Sequence, residues 1–309
     1  MALGLCCQWL EQRTKRSGEV ILENIISDNS LQLGAYKDEK YSRERILETY
    51  RNNASQILRV IPLLNSSNIK SFRLSSGIFP LYEFAGELAR NDDQVQSSLK
   101  LAGQQFKQSG IRVTCHPGQY TVLSSDSRST VENAKKELEY HAWIFDQMGF
   151  DCTPYYAINI HGGKANRSEQ LIEVINTLPE NVKNRLTLEN DERCYNVRTL
   201  LDISRKTSVP IVLDTHHYTF GDTDLSFFDA VSETIKTWNA IKPLQHLSNT
   251  TIGLENAPFN QKRAHSDYIH YIHPLQLKLI KDDIVDVDVE AKAKNLALLK
   301  LKRDFNVKV

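Results

Sequence analysis

The sequence predicts an α/β fold built as one (β/α)8 barrel, a single domain over residues 1–309. Short apolar runs alternate with longer segments of helical periodicity, and this alternation recurs eight times. No linker, low-complexity segment or change in composition interrupts it. A chain of 309 residues is long enough to bury a large core, and α/β barrels reach this size as one domain.

The predicted strands are apolar throughout or nearly so, as expected for strands buried on both faces of a parallel sheet. The seventh is weakly apolar. The eighth alternates with aspartate in IVDVDVE, so we expect it to be less buried than the others. The eight strands are predicted over residues 3–7, 69–75, 111–116, 155–161, 185–189, 210–214, 243–248 and 284–290.

Segments between these strands carry apolar residues at helical spacing. The clearest is residues 129–148, where the apolar positions fall on one stripe. Comparable spacing predicts helices over residues 46–64, 199–207 and 225–241. The connection after the first strand is longer than one helix needs, and we expect its front part, residues 17–39, to be loop.

Composition excludes several classes of protein. Hydrophobic residues make up 40% and charged residues 25%, with 38 basic against 38 acidic side chains, which excludes a disordered chain. The neutral charge also excludes a broad polycation that would bind nucleic acid without specificity. Five cysteines without a CxxC pair, and the lack of a signal peptide or a run of about 20 apolar residues, predict a cytoplasmic protein that contacts no membrane.

The third to eighth predicted strands each end at or next to a side chain that binds divalent metal. All strands of a parallel barrel end on one face, so these side chains should converge at one mouth. Two further histidines follow on loops of the same face. The resulting set has five histidines and three carboxylates, too many for one tetrahedral ion, which favours two or three ions of zinc, manganese or iron over calcium. The candidate ligands are His116, His161, Glu189, Asp214, His217, His246, His265 and Glu290.

The remaining histidines are predicted to hold no metal. His141 and His270 are assigned to helices, and His273 immediately precedes Pro274. His216 adjoins His217 but should point elsewhere, so we expect it to support the ligands from the layer behind them.

Several motifs together resemble the ultraviolet-damage endonucleases, in order and over nearly the whole chain. They are LGLCC, SFRLSSGIFPL, HPGQYTVLSS, NIHGGK, LENDE, LDTHHY, RAHSDY and DVDVEAKAK. The resemblance implies a (β/α)8 barrel similar to the metal-dependent abasic-site endonucleases and the xylose-isomerase-like enzymes. It implies nicking of duplex DNA immediately 5′ to pyrimidine dimers and other distorting lesions, with manganese as the usual metal.

The resemblance also assigns roles to residues. The eight candidate ligands would hold the metals, and Glu189, Asp214, His246 and Glu290 among them would be catalytic. Gln119 and Tyr120, which follow a His–Pro–Gly turn, match the pair that wedges into the duplex at a lesion. Apart from the resemblance, five cations flank the ligand motifs, and we expect Lys164 and Arg263 among them to contact the DNA. The other three are Arg167, Arg193 and Lys262.

Three departures from the family pattern leave alternatives open. Phe84 stands where the family usually has a histidine, Leu244 stands where it usually has a lysine, and residues 250–261 look like extra length. We therefore expect a third metal to be weak or differently held. An iron oxidase or a sugar isomerase or epimerase on the same barrel, and a module that binds distorted DNA without cutting it, remain alternatives. We expect a monomer that needs no protein partner.

Overall fold

A computed structural model describes residues 3–221 and 225–307. Eight parallel strands close into a barrel in the order β1-β10-β9-β8-β7-β6-β5-β4, and β2 and β3 form a separate two-stranded sheet. The predicted (β/α)8 barrel is therefore confirmed, including its weak seventh strand. The strands are β1 Leu3–Cys6, β2 Trp9–Thr14, β3 Val20–Ile26, β4 Ser71–Leu74, β5 Arg112–Cys115, β6 Ile158–Ile160, β7 Leu186–Glu189, β8 Ile211–Asp214, β9 Leu244–Leu247 and β10 Asp286–Val289.

The helices pack around the barrel and include all four predicted from periodicity, which correspond to α2, α5, α8 and α10. No helix in the described part of the chain is long and apolar enough to cross a membrane. The helices are α1 Leu33–Lys37, α2 Arg43–Ser66, α3 Tyr82–Arg90, α4 Asp93–Gln108, α5 Arg128–Gln147, α6 Ser168–Asn176, α7 Glu180–Lys183, α8 Val197–Thr207, α9 Thr215–Phe220, α10 Phe227–Lys236, α11 Phe259–Lys262, α12 Pro274–Lys281 and α13 Lys294–Asp304.

Several long helices begin where a polar side chain caps the first turn. Ser42, Asp92, Ser127 and Asn196 each accept a hydrogen bond from a backbone N–H of the helix that follows. Such a cap satisfies one of the backbone donors that have no partner within the helix. The caps fix where the outer helices start relative to the strand ends.

The expectation that residues 17–39 form a loop is wrong. Strand β3 pairs antiparallel with β2, and the short helix α1 follows. Val20 and Leu22 of this hairpin are exposed by 60% and 47%. The hairpin therefore lacks the continuous apolar run that identifies a barrel strand, and its pairing is what stabilises it.

The expectation that the eighth strand is less buried is also wrong. Asp286 and Asp288 of β10 are 2% and 0% exposed because both point into the barrel. Arg112 Nη1 lies 3.2 Å from Asp286 Oδ2. One layer higher, the hydroxyls of Ser71 and Thr114 donate to Asp288 over 3.0 and 2.8 Å. Each buried carboxylate thus has its own partners, which offset the cost of removing its charge from water.

This middle layer requires a glycine on β1. A Cβ atom added to Gly4 would lie 1.9 Å from Asp288 Oδ1 and 2.9 Å from Ser71 Oγ. We expect Gly4→Ala to lower the free energy of unfolding by about 1–3 kcal/mol, since the overpacked layer must shift. Urea denaturation followed by circular dichroism measures this loss.

Gly34→Ala is the matched control, because nothing lies within 4 Å of the Cβ position there and Gly34 is in helix α1. It should be neutral or slightly stabilising. Equal losses for the two variants would contradict the steric explanation.

Candidate metal centre

The structure brings seven of the eight predicted ligands together at the carboxyl ends of the barrel strands. They form three groups, and within each group the candidate ligand atoms lie within 4.8 Å of one another. Glu189 is shared by the first two groups and Asp214 by the last two. The groups are His116, His161 and Glu189; Glu189, Asp214 and His217; and Asp214, His246 and Glu290.

Glu189, at the end of β7, has one oxygen held by protein and one facing the cluster. The Asn159 amide donates to Oε2, and the Thr187 hydroxyl donates to Asn159 Oδ1 over 2.9 Å, which fixes the amide. His116 Nε2 also lies 3.2 Å from Oε2. The other oxygen, Oε1, is buried without a hydrogen bond, although His246 Nδ1 lies 3.1 Å away.

Asp214 ends β8 and caps α9. Its Oδ1 accepts from the backbone N–H groups of His216 and His217, each over 2.7 Å. Asn190 brackets the same residue, because its amide donates to the Asp214 carbonyl and its oxygen accepts from the Asp214 N–H. These bonds hold the carboxylate still while Oδ2 is left buried without a partner.

The donor set fits divalent metal. Among the described residues, buried side-chain atoms without a hydrogen-bond partner include Glu189 Oε1, Asp214 Oδ2, His161 Nδ1 and both ring nitrogens of His246. Unpaired buried polar atoms are costly and uncommon. These five atoms belong to residues of the three groups. Imidazole and carboxylate are the ligands that zinc, manganese and iron accept.

The centre attracts positive charge. Burial lowers the pKa of His246, but the carboxylates of Glu189 and Glu290 outweigh it and raise that pKa to about 9. Burial likewise opposes charge on Glu189 and Glu290, yet His246 holds the pKa of Glu189 well below its usual range, and Arg73 lowers that of Glu290. Two carboxylates whose pKa values are lowered in this way, in one buried mouth, favour a cation there.

His265 lies outside the three groups. Its Nε2 is 3.6 Å from Glu290 Oε2, and its ring centre is 5.9 Å from that of His216. His217, the other histidine assigned to a loop of this face, groups with Glu189 and Asp214. The assignment of His265 as a ligand stays a prediction.

Glu192 is a site residue that the motif analysis did not single out. Its Oε2 accepts from His217 Nδ1 over 2.6 Å, which leaves Nε2 of that ring to face the cluster. Its Oε1 pairs with Arg263 Nη1 over 2.5 Å, and the carboxylate is 2% exposed. Burial opposes its charge, but His217 and Arg263 hold the pKa of Glu192 far below its usual range. The available signal was its place in LENDE, three residues after Glu189.

Arg73 was also missed. It points inward from β4 and forms an ion pair with Glu290 Oε1. Burial opposes its charge, but the nearby acidic groups raise the pKa of Arg73 still further above its ordinary value. Its position could have indicated this, because Arg73 lies two residues after Ser71 in SFRLSS and therefore shares its inward face of the strand. Arg73 therefore neutralises part of the charge of a carboxylate that the sequence assigns to the metals.

Of the two other histidines assigned to helices, His141 is in one and His270 is not. His216 is buried behind the cluster, His141 lies in α5 with Nε2 3.2 Å from Glu137 Oε1, and His273 caps α12. His270 is not in a helix; it is an exposed residue in the segment before α12, and its backbone N–H donates to Asn249 Oδ1.

Two of the three departures, Leu244 and Phe84, occupy different places. Leu244 is on the inner face of β9, two residues before His246, and packs with Ala157, Val212 and Trp238 in an apolar cluster. Phe84 lies in α3, 47% exposed, with its ring centre 5.6 Å from that of Tyr36. Leu244 thus fills the barrel below the metal ligands.

A cleft of about 510 Å³ opens above the cluster. Gln119 lines it, and Tyr120 beside it is 82% exposed, in a turn closed by the Thr121 N–H donating to the Gly118 carbonyl. Arg193 and Arg263 line the opposite side. The side chains of the predicted wedge therefore stand free at the mouth.

Four of the cations near the cleft are already paired with acidic or polar groups, among them Arg263 with Glu192. Lys164 and Arg167 both form ion pairs with Asp126. Arg193 donates to Asn260 Oδ1 over 3.0 Å. Any contact with a polyanion must compete with these bonds.

A family model described as UV-endonuclease UvdE matches residues 15–308. The chain belongs to this family. It is 36% identical over 263 residues to a UV DNA damage endonuclease of Nostoc sp., covering 82% of this chain and 78% of that protein. It is 32% identical over 266 residues to the one of Deinococcus radiodurans, covering 84% of both. The family is one of DNA repair endonucleases, and its substrate is DNA.

Solved structures of other proteins share the fold of this chain. The crystal structure of SacUVDE superposes with a TM-score of 0.79 at 25% identity and full coverage of both chains. A putative xylose isomerase from Rhodospirillum rubrum has a TM-score of 0.52 at 13% identity, covering 81% of this chain and 92% of that one. The second likeness shows the barrel fold alone.

The Glu192 contacts generate a prediction about metal affinity. Glu192→Gln keeps the shape but weakens the bonds that orient His217 and anchor Arg263. We expect divalent metal to bind roughly 10- to 100-fold more weakly, the usual cost of losing a carboxylate behind a histidine ligand. Competition titration with a chromophoric chelator measures the change.

Glu173→Gln is the matched control, because Glu173 is an exposed glutamate on α6. It should bind metal like the wild type. An unchanged affinity in Glu192→Gln would show that His217 is oriented without this carboxylate.

Proposed function

We propose that this endonuclease hydrolyses one phosphodiester of duplex DNA, immediately 5′ to a UV photoproduct or another distorting lesion. It would use two or three divalent ions, manganese first among them, with zinc or iron as alternatives. The observation that carries the proposal is the set of three overlapping ligand groups at the open mouth of the barrel. Membership of the UvdE family supplies the substrate.

Seven ligands have places in this proposal. His116 and His161 would hold one ion with Glu189, while His217 faces a second position between Glu189 and Asp214. His246 and Glu290 complete a third with Asp214. Glu189 and Asp214 each serve two groups, so either can bridge two ions. His265 would add a ligand beside Glu290, since its Nε2 lies 3.6 Å from Glu290 Oε2.

Divalent ions bound here would activate water as a nucleophile and stabilise charge on the attacking and leaving oxygens. The chain's own residues supply the positioning. Asn159 and Asn190 hold Glu189 and Asp214 rigid, and Glu192 orients His217. Rigid carboxylates and imidazoles need no rearrangement during the reaction, which favours catalysis.

Lesion recognition falls to the exposed turn after β5. A damaged base pair costs less to open than an intact one, so a side chain that replaces it selects lesions. Tyr120 can stack on an unpaired neighbour, and the Gln119 amide can hydrogen-bond to a base edge. Lys164 and Arg263 would contact the DNA phosphates by giving up their ion pairs with Asp126 and Glu192, respectively.

A sugar epimerase or an iron oxidase gains no specific support. D-Psicose 3-epimerase has a TM-score of 0.50 at 14% identity, a likeness that shows the fold alone. We propose that the chain acts as one domain and as a monomer, since every residue of the proposed centre comes from the same barrel mouth.

The main test is cleavage of an end-labelled duplex that contains one pyrimidine dimer. We expect nicking at the phosphodiester 5′ to the dimer, loss of nicking with chelator, and recovery with manganese. Zinc, iron and magnesium are compared in parallel, with an undamaged duplex as control. Nicking that survives thorough chelation, or cuts at any other position, would contradict the proposal.

Glu189→Gln tests the shared carboxylate. We expect the nicking rate to fall at least about 100-fold, because an interaction worth several kcal/mol is lost. The thermal midpoint should not drop, since one buried negative charge is removed from a cluster of three. Glu87→Gln, an exposed site on α3, is the control, and wild-type nicking by Glu189→Gln would disprove the role.

Tyr120→Ala tests the wedge. We expect the preference for lesion-containing over undamaged duplex to fall about five-fold or more, the range of one base–aromatic stacking contact. Metal affinity should stay unchanged because the ring is 82% exposed. Tyr120→Phe keeps the ring and should retain the preference. Competition binding measures all three proteins, and an unaltered preference in Tyr120→Ala excludes stacking by this residue.

A further inference from the structure

Arg73 is a permanent positive charge inside the layer of proposed metal ligands. It comes from β4 and pairs with Glu290, which follows β10. Strand β1 lies between β4 and β10 and pairs with both, so the ion pair spans the inner face of β1. The side chains of Arg73 and Glu290 are 15% and 9% exposed, and water therefore screens their attraction poorly.

The bonding of Arg73 differs from that of Arg112, which points into the base of the barrel. All three guanidinium nitrogens of Arg112 donate to backbone carbonyls, and Nη1 also pairs with Asp286. In contrast, Arg73 Nε is buried without a hydrogen bond. Buried polar groups that only support a fold have partners, as those of Arg112 do. The bonding of Arg73 is therefore not explained by the architecture of the barrel alone.

The two oxygens of Glu290 face different neighbours. Arg73 pairs with Oε1, and His246 Nδ1 lies 3.5 Å from that same oxygen. His265 Nε2 lies 3.6 Å from the other oxygen, Oε2. A cation held between His246 Nδ1 and Glu290 Oε1 would therefore share this oxygen with the guanidinium.

The competition concerns one of the three ligand groups. In the described part of the chain, Glu290 belongs to the group with Asp214 and His246, whereas the other two groups contain Glu189. A guanidinium neutralises the carboxylate with which it pairs, and it repels a divalent cation bound to the same carboxylate. An ion that enters the Glu290 group must overcome this competition, and an ion that enters through Glu189 does not compete for Glu290.

We propose that Arg73 is a positioning residue that makes the Glu290 group the last of the three to fill with a divalent ion. The guanidinium holds Glu290 in an ion pair, and an ion enters only by sharing the carboxylate with Arg73 or by displacing it. The inference rests on the proposed function, because it takes the three ligand groups to be sites for divalent ions. It adds an order of filling, in which two ions are held firmly and a third exchanges with free metal.

The test starts from manganese-loaded, full-length protein that is dialysed against a series of buffered manganese concentrations. Elemental analysis then gives the number of ions per chain. We expect wild-type protein to hold two ions tightly and a third about ten-fold or more weakly, since the third competes with a buried ion pair. Arg73→Met removes the charge and leaves Glu290 unpaired. The third ion should then bind about ten-fold or more tightly than in the wild type, because it replaces the missing partner of a buried charge.

Three further variants separate the charge, the location and the route of the effect. Arg73→Lys keeps a positive charge and should keep the third ion weak. Arg59→Met removes the same charge from an exposed position on α2 and should bind manganese like the wild type. Glu290→Gln combined with Arg73→Met should abolish the gain of Arg73→Met, since the effect of Arg73 passes through Glu290.

Wild-type crystals equilibrated at low and at high manganese locate the ions by anomalous scattering, and this measurement needs no variant to fold. At low manganese we expect peaks beside His161 and His217, and at high manganese an additional peak beside His246 and Glu290. Three ions of equal affinity, a peak at the Glu290 group at the lowest concentration, or a third ion weakened by Arg73→Met would overturn the proposal. Equal tightening of all three ions in Arg73→Met would overturn it as well, because the charge would then act on the whole centre.

Nicking of the dimer-containing duplex, measured on the same preparations, separates this inference from the proposed function. Protein that fills in the expected order but never nicks supports the role of Arg73 and overturns the nuclease. Protein that nicks while it binds three ions equally overturns the role of Arg73 and leaves the nuclease standing.

Discussion

The electrostatic cost of holding three carboxylates side by side in a buried mouth governs this structure. Glu189, Asp214 and Glu290 are 1%, 0% and 9% exposed, so solvent screens their mutual repulsion poorly. Imidazoles and the Arg73 guanidinium lie around Glu189 and Glu290 and lower the pKa of both carboxyl groups. Even so, oxygens of Glu189 and Asp214 stay unpaired, and this imbalance suits divalent cations.

The interior of the barrel shows the contrast between structural and functional charge. At its base Arg112 pairs with Asp286, and in its middle Asp288 accepts from Ser71 and Thr114. Those carboxylates are satisfied by protein alone. Two residues after Asp288, just past the end of β10, the Glu290 carboxylate pairs with Arg73 and lies near His246 and His265. Satisfied polar layers below thus support a top layer whose atoms are left available.

Loops carry the connection from ligands to substrate. Glu192 contacts both His217 and Arg263, so the orientation of a proposed ligand and the position of a cation that lines the cleft depend on one carboxylate. Asn249 ties the loop after β9 to the segment before α12 in a similar way. Rigid loops on a rigid barrel therefore hold the proposed metal ligands and the residues that would contact DNA in fixed relative positions.

Local patterns in the sequence determined the barrel strands, the four helices predicted from apolar periodicity, and the metal-binding side chains at the strand ends. Burial on both faces produces apolar runs, and parallel strands present their carboxyl ends on one face. The sequence patterns did not predict the hairpin of β2 and β3, because its strands are largely exposed. The pairing of the two strands stabilises it in place of a buried apolar run.

Only the tertiary structure decided which groups meet. The burial of Asp286 depends on Arg112, 174 positions away, and Arg73 reaches Glu290 across 217 positions. The roles of Glu192 and the place of His265 outside the three groups depend on loops that approach one another in space. The order of residues along the chain states which side chains are available. Closure of the barrel brings them within the few ångströms over which hydrogen bonds and ion pairs act.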